Sequence, residues 1–220
     1  MRFGFFQRTF RGGRFALPVV MLSILVVHGT THGHTAKIAA AVATAIEASG
    51  ASCDVMAAAD ATRNPGDYDG VVVAASVHAG KYQKAVVAWV RAHRAVLDAN
   101  PTAFISVCLG VLQKQPNVDR ELKNILDRFS TETGWRPQVT TTVAGALPYT
   151  KYNWFIRWVM KRIAAKAGGD TDTSRDYEYT DWAALSRFSV QFARTVEARK
   201  AGSAPTSSVY HRPASTGRLA

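Results

Sequence analysis

Short, continuously apolar runs, set apart by helix-length amphipathic stretches, constrain this chain more than any other feature. Leu22-Ser23-Ile24-Leu25-Val26-Val27 opens the series, and Ser52–Met56, Gly70–Ser76, Thr102–Leu109 and Gln138–Leu147 follow. A strand with one wet face alternates apolar and polar residues. Runs such as Gly70–Ser76 (GVVVAAS) do not alternate, so they predict strands buried on both faces. Helical periodicity marks Thr35–Ser49, Gln83–Leu97, Val118–Thr131, Asn153–Ala167 and Asp181–Ala198, with stops at Gly50, before Asn100-Pro101 and at Gly168-Gly169. Asn64-Pro65-Gly66-Asp67 is a turn. Strands joined in this way imply right-handed crossovers and a parallel sheet covered on both sides. The expected fold class is α/β, a three-layer, doubly wound, five-stranded parallel sheet. Ligands of such sheets sit beyond the carboxyl ends of the strands.

The net charge of +11 suggests nucleic acid until it is placed along the chain. Residues 1–20 carry four Arg and no acid, and Arg199, Lys200, Arg212 and Arg218 stand in an acid-free C-terminal stretch. Without these ends residues 21–198 carry +3, and five basic residues lie in the acid-free segment Lys151–Lys166. The charge therefore belongs to two tails and one segment, not to the fold, and no nucleic-acid partner is expected. The apolar run Phe15–Val27 after the Arg-containing start resembles a signal peptide. It is shorter than the roughly 20 residues a bilayer span needs, and its second half is the first strand. Residues 1–20 are expected to be a non-core extension, 21–199 the domain, and 200–220, rich in Ser, Pro, Gly and Ala, a disordered tail. Cys53 and Cys108 read as buried free thiols, in keeping with a reducing, cytoplasmic compartment.

The first strand runs directly into His28-Gly29-Thr30-Thr31-His32-Gly33-His34-Thr35 and then a helix. Glycines allow close backbone approach, Thr hydroxyls donate, and a helix N-terminus presents unpaired N–H groups to a phosphate. The loop has no Lys and so is not a Walker loop, and it lacks the G-x-G-x-x-G spacing of a dinucleotide site. The plain alternative is an ordinary strand–helix turn with Thr35 as N-cap. Three histidines at i, i+4 and i+6 match no standard zinc spacing, and no metal is expected.

V-V-H-G-T-T-H-G-H-T-A-K-I-A-A-A-V resembles the flavodoxin signature, with Thr30, Gly33, Thr35 and Ala39 on the pattern and His28 departing from its aromatic position. Further on come A-A-S-V-H-A-G-K-Y, A-G-A-L-P-Y, K-Y-N-W-F-I-R-W-V-M-K-R-I, G-G-D-T-D-T and Y-T-D-W. In order and spacing these resemble the bacterial menaquinone-dependent protoporphyrinogen IX dehydrogenases, flavodoxin-like enzymes of haem synthesis. The resemblance covers Leu22 to Val196. It implies FMN as cofactor, protoporphyrinogen IX as reductant, and a quinone acceptor at the cytoplasmic face of the membrane. A flavodoxin-type electron carrier and a quinone or azo-compound reductase use the same fold and stay open. An acidic docking face, usual for carriers, is missing from this near-neutral body. A homo-oligomer also stays open.

On this reading the cofactor-binding residues are Gly29, Thr30, Thr31, His32, Gly33, His34 and Thr35 in the first loop. Ser76, Val77, His78, Ala79, Gly80 and Tyr82 form the second. Leu109 and Gly110 flank the ring from the third, and Gly145 and Ala146 come from the A-G-A-L-P-Y element. Tyr82 either stacks on the flavin or starts the helix that buries Val86 and Trp89. His78 is the side chain best suited to proton movement, although exposed loop histidines are common. No residue is singled out as a catalytic acid or base. In Lys151–Lys166, Tyr152, Phe155, Ile156, Val159, Met160 and Ile163 share a broad face, with Arg157 and Lys161 opposite. Trp154 and Trp158 lie four apart among the cations. Trp154, Arg157, Trp158, Lys161 and Arg162 suit an anionic membrane surface, a tetrapyrrole with its propionates, or solvent around an ordinary docked helix.

Overall fold

The structure is a computed structural model and describes residues 21–60, 62–112, 116–166 and 170–203. The expected N-terminal extension and the tail from residue 204 onward lie outside the described residues.

β1 (Ser23–Gly29) pairs in parallel with β2 (Ser52–Ala57) on one side and β3 (Gly70–Ser76) on the other. β4 (Thr102–Val107) and β5 (Val139–Val143) extend the sheet, giving the order β2-β1-β3-β4-β5 with every pairing parallel. This is the expected doubly wound sheet, with the strand order that reverses between β1 and β3. β3 and β4 are buried on both faces almost throughout, as their unbroken apolar runs require.

α1 (His34–Glu47) and α6 (Trp182–Ser203) cover one face, where Ile24 and Val26 of β1 meet Ile38, Val42 and Ile46 of α1 and Leu185, Phe192 and Val196 of α6. Alternate residues Leu25 and Val27 point the other way, toward α2 (Lys84–Ala92), α3 (Arg94–Ala99) and α4 (Pro116–Thr133). On that side Tyr82, Phe104, Phe129 and Trp135 pack ring against ring, with Phe104 and Phe129 stacked at 5.0 Å and Tyr82 edge-on to both. Such pairs contribute about 0.5–1.5 kcal/mol each beyond area burial. α6 is tied down at its far end. Lys200 Nζ lies 2.7 Å from Asp69 Oδ2, the carboxylate that also accepts from the Ser23 backbone at 2.8 Å.

Three elements differ from the sequence expectation. The predicted helix 83–97 divides at His93, whose ring nitrogen meets the Trp89 carbonyl at 2.9 Å and whose backbone leaves helical geometry. The predicted strand 138–147 breaks after Val143. Its last part, β6 (Ala146–Leu147), turns away to pair antiparallel with β7 (Tyr177–Glu178). The last helix continues to Ser203 rather than stopping near residue 198. Between β6 and β7 lies α5 (Trp154–Lys166), the expected helix after the fifth strand.

Candidate functional site

The carboxyl ends of β1, β3 and β4 open on one cavity of about 410 Å³. Its first wall is the loop after β1. Gly33 takes a left-handed φ of +91°, a conformation glycine adopts without penalty, and α1 begins at the next residue. Thr35 is therefore not the N-cap that the sequence allowed. It lies inside the first turn, buried, and the helix start has no side-chain cap and no acidic residue. The Thr30 hydroxyl instead accepts from the Gly33 N–H at 2.9 Å, which shapes the loop. Thr30, His32, His34 and Thr35 line the cavity. A helix N-terminus without a side-chain cap, flanked by hydroxyls and with no acidic residue in its first turn, fits a phosphate monoester.

His34 is anchored from across the fold. Its Nε2 meets Thr180 Oγ1 at 2.8 Å, and that hydroxyl donates to the Ala144 carbonyl at 2.8 Å. Thr180 has one proton to give, so His34 donates through Nε2. Its Nδ1 then faces Glu178 Oε2 at 3.8 Å, while Lys37 contacts the same oxygen at 2.6 Å. Burial holds the His34 imidazole below its ordinary value, partly opposed by Glu178. The Lys37 hydrogen bond holds the Glu178 carboxyl low.

The second wall follows β3. His78 and Lys81 exchange backbone hydrogen bonds of 2.8 and 3.0 Å around Ala79 (φ 49°) and Gly80 (φ 72°), a tight turn with both central residues left-handed. Arg128 of α4 holds the Gly80 carbonyl at 3.1 Å. Ser76, Val77, His78 and Ala79 line the cavity. Gln83 Nε2 donates to Ser76 Oγ at 2.5 Å and to Thr31 Oγ1 at 3.4 Å, joining the two walls. Desolvation at the cavity mouth, with a smaller contribution from His32, keeps His78 below the ordinary imidazole value.

Leu109, Gly110, Gly145 and Ala146 complete the far wall as expected. Sequence reasoning did not assign Val107, Cys108, Pro148, Tyr152 and Met160 to the cavity, yet they line it too. Tyr152 and Met160 belong to the segment leading into α5 and to α5 itself, so the inserted helix forms part of the cavity wall. Its 3.6-residue period was visible, but not which way it rotates. Cys53 and Cys108 are free thiols, half-buried, and burial pushes Cys53 to about 12.

Five expected residues stand off the cavity lining. Gly29 is buried under α2. Thr31 is exposed and bonded to Gln83. Gly33 lines a neighbouring cavity of about 380 Å³ beside Lys37 and Lys151. Gly80 shapes the turn without lining the cavity. Tyr82 is the clear correction. Only 7% exposed, it donates to the buried Ser106 hydroxyl at 2.9 Å and packs on Phe104 and Phe129, so it has no face to offer a ligand.

On α5 the rotation also differs from the periodic expectation. Phe155, placed by periodicity on the docking face, is 56% exposed beside Trp154 at 81% and Trp158 at 51%. Arg157, expected with the outward cations, turns inward and donates to the Tyr152 carbonyl at 3.1 Å. Lys161 and Arg162 are exposed, and the Arg162 guanidinium stacks 4.8 Å from the Trp158 ring. Among the described residues, no helix is long and apolar enough to cross a membrane, and no group of three or more His, Cys, Asp and Glu could hold a metal.

A 2-1-3-4-5 sheet with this loop at its switch point defines a flavodoxin-type domain, and residues 25–174 match the family model described as a flavodoxin domain. A Leishmania major protein named "Protoporphyrinogen IX dehydrogenase [quinone]" is 35% identical over 172 residues, 77% of this chain and 74% of that one. Its namesake from Escherichia coli (strain K12) is 32% identical over 178 residues, 80% of this chain and 97% of that one. A flavodoxin from the domain Archaea superposes with a TM-score of 0.46 at 14% identity, covering 80% of this chain and 99% of that one. The chain belongs to the quinone-linked protoporphyrinogen IX dehydrogenase family within the flavodoxin-domain proteins. It is an oxidoreductase, and its flavodoxin domain implies a flavin cofactor.

Proposed function

We propose that this protein oxidises protoporphyrinogen IX to protoporphyrin IX in haem biosynthesis, holding FMN in the cavity and passing the electrons to a menaquinone-type quinone. The observation that carries the proposal is the joining of two features around one cavity. A neutral, donor-rich phosphate cradle lies on one side, and an inserted aromatic, basic helix closes the other. The first suits a flavin mononucleotide. The second is more than a cofactor needs and suits large or membrane-borne partners.

FMN held there supplies the redox chemistry, accepting electrons from one partner and releasing them to the other. The chain's own residues bind and orient. Backbone N–H groups of residues 34 and 35 and the hydroxyls of Thr30 and Thr35 receive the phosphate, with His32 and His34 beside them. The 76–79 strand end and Leu109–Gly110 flank the ring. Gly145 lets the chain pass close to Val107, where an added Cβ would sit 3.3 Å from a methyl. Tyr152 and Met160 close the cavity from α5 and limit water.

Trp154, Phe155 and Trp158, with Lys161 and Arg162, form the face we assign to an anionic membrane surface, and the reading includes a peripheral position on its cytoplasmic side. Indole rings at headgroup depth beside cations suit that role. The deciding experiment is an anaerobic assay of the flavin-loaded protein with protoporphyrinogen IX and a menaquinone analogue. Fluorescent porphyrin that requires both flavin and quinone is expected. A flavin-loaded protein that oxidises no porphyrinogen refutes the proposal and points to a carrier or quinone reductase.

A further inference from the structure

The oxidation proposed above releases protons as well as electrons, and the cavity holds few groups able to take one. Among the described residues lining it, the titratable side chains are His32, His34, His78, Tyr152 and Cys108. Burial pushes Tyr152 to about 12 and also raises Cys108, so both keep their protons near neutrality. The acceptor must be an imidazole. His34 is committed to the Thr180 hydroxyl through Nε2, and its other nitrogen faces Glu178 at 3.8 Å.

His78 is differently placed. Its Nε2 lies 3.2 Å from Ser76 Oγ, and Ser76 already accepts from Gln83 Nε2. With Nδ1 carrying the ring hydrogen, His78 Nε2 accepts from the Ser76 hydroxyl, which keeps a lone pair for Gln83. His32 stands edge-on with its ring centroid 5.8 Å from that of His78, and 5.2 Å from that of Tyr152. Two imidazoles this close do not both charge readily. Three basic residues stand around this turn and loop. Lys151 Nζ is 3.5 Å from the His32 carbonyl, Lys81 pairs with His78 through the backbone, and Arg128 holds Gly80.

Resting on the proposed function, we infer that His78, set beside His32 at the cavity mouth, accepts the proton released in the oxidation. In each two-electron step the bound flavin would take up a substrate C–H hydrogen with its bonding pair, and quinone would take the electrons on. The accompanying proton leaves from a pyrrole N–H or, once two of these are spent, from the remaining meso carbon, as the new double bond forms. The Ser76 hydroxyl passes its own proton to His78 Nε2 as it takes up the one released, and the imidazolium later yields its proton to water. His78 is the acceptor. His32 is a positioning residue whose ring packs edge-on against it and adds to the burial that disfavours its charge.

The test uses the flavin-loaded full chain, its His78→Gln and His32→Gln variants, and His32→Asn as a second substitution. Flavin content is fixed by absorbance. In wild type, kcat/KM for porphyrinogen oxidation should rise with pH as His78 loses its proton. His78→Gln should lower it by about 10²–10⁴-fold, the usual worth of a positioned base, and flatten that limb. His32→Gln should move the limb to higher pH. The imidazole 15N resonances of His78 should titrate at higher pH by the same shift, a readout independent of turnover. An active wild type whose His78→Gln variant keeps its rate and pH profile overturns the acceptor role alone. His78 resonances that titrate identically with and without His32 overturn the positioning role of His32. A wild-type protein that oxidises no porphyrinogen overturns the functional reading, and the acceptor role with it.

Discussion

Gly29 closes β1 where α2 crosses it, and replacing it with alanine tests how tightly the site is built. A Cβ there would overlap a Val86 methyl and meet Gln83 Oε1 at 3.0 Å. Val86 is fully buried on α2, and a β-branched side chain in a helix has one favoured rotamer, so it cannot swing aside cheaply. Overpacking of this kind costs about 1–3 kcal/mol. For a chain of this size that lowers Tm by about 2–12 °C. Val86→Ala alone removes two buried methyl groups, about 1.6 kcal/mol of transfer free energy before any cavity penalty. In the double variant the new Cβ occupies the space those methyls leave. The two losses should then fall short of additivity by about 0.5–3 kcal/mol. Urea and thermal unfolding of the four proteins measure this directly. A Gly29→Ala protein that melts with the wild type, or a strictly additive double variant, refutes the steric argument.

Other expectations follow from the same geometry. Tyr82→Phe removes one buried hydrogen bond to Ser106 and should cost about 0.5–1.5 kcal/mol in urea unfolding, leaving flavin affinity unchanged by fluorescence titration. His28, His34 and His78 all have lowered values, chiefly through burial. A lowered imidazole resists protonation when folded. Stability should be level above about pH 6.5, the unfolded imidazole value, and fall as pH drops below it. Thermal melts between pH 7.5 and 5.5 should show the fall, and His34→Gln should reduce its slope. For the α5 face, Lys161→Gln with Arg162→Gln should weaken binding to anionic vesicles by about 2 kcal/mol, roughly thirtyfold. Sedimentation on phosphatidylserine-containing against neutral vesicles measures it, and equal binding to both removes the membrane assignment.

The sheet and the cavity-lining loops were legible in the sequence because β1, β3 and β4 are doubly buried over most of their length and largely apolar. The loop after β1 announced itself by composition. What stayed hidden depended on rotation or on distant partners. Whether Tyr82 faces the cavity or the core is settled by Phe104 and Phe129, residues on a strand and a helix far along the chain. Phe155 points outward while Arg157 turns in to the Tyr152 carbonyl, a rotation that helical period alone cannot express. The His34–Thr180 bond spans 146 positions. β6 and β7 are two residues each, too short for any periodicity to register.

The latch of α6 has a consequence for how the protein is made. Leu185, Phe192 and Val196 seal the α1 side of the sheet, and Gly70 has no side chain where Val196 sits, since a Cβ there would come within 2.7 Å of it. All the loops that build the cavity leave the ribosome before this helix does. Until residues 182–203 emerge, the part of that face that α1 does not cover is bare apolar surface. The nascent chain therefore passes through an aggregation-prone interval in which a chaperone has something to hold. A ribosome stalled shortly before α6 should display a product that is sticky and readily cleaved by proteases, although almost every residue of the cavity is already present.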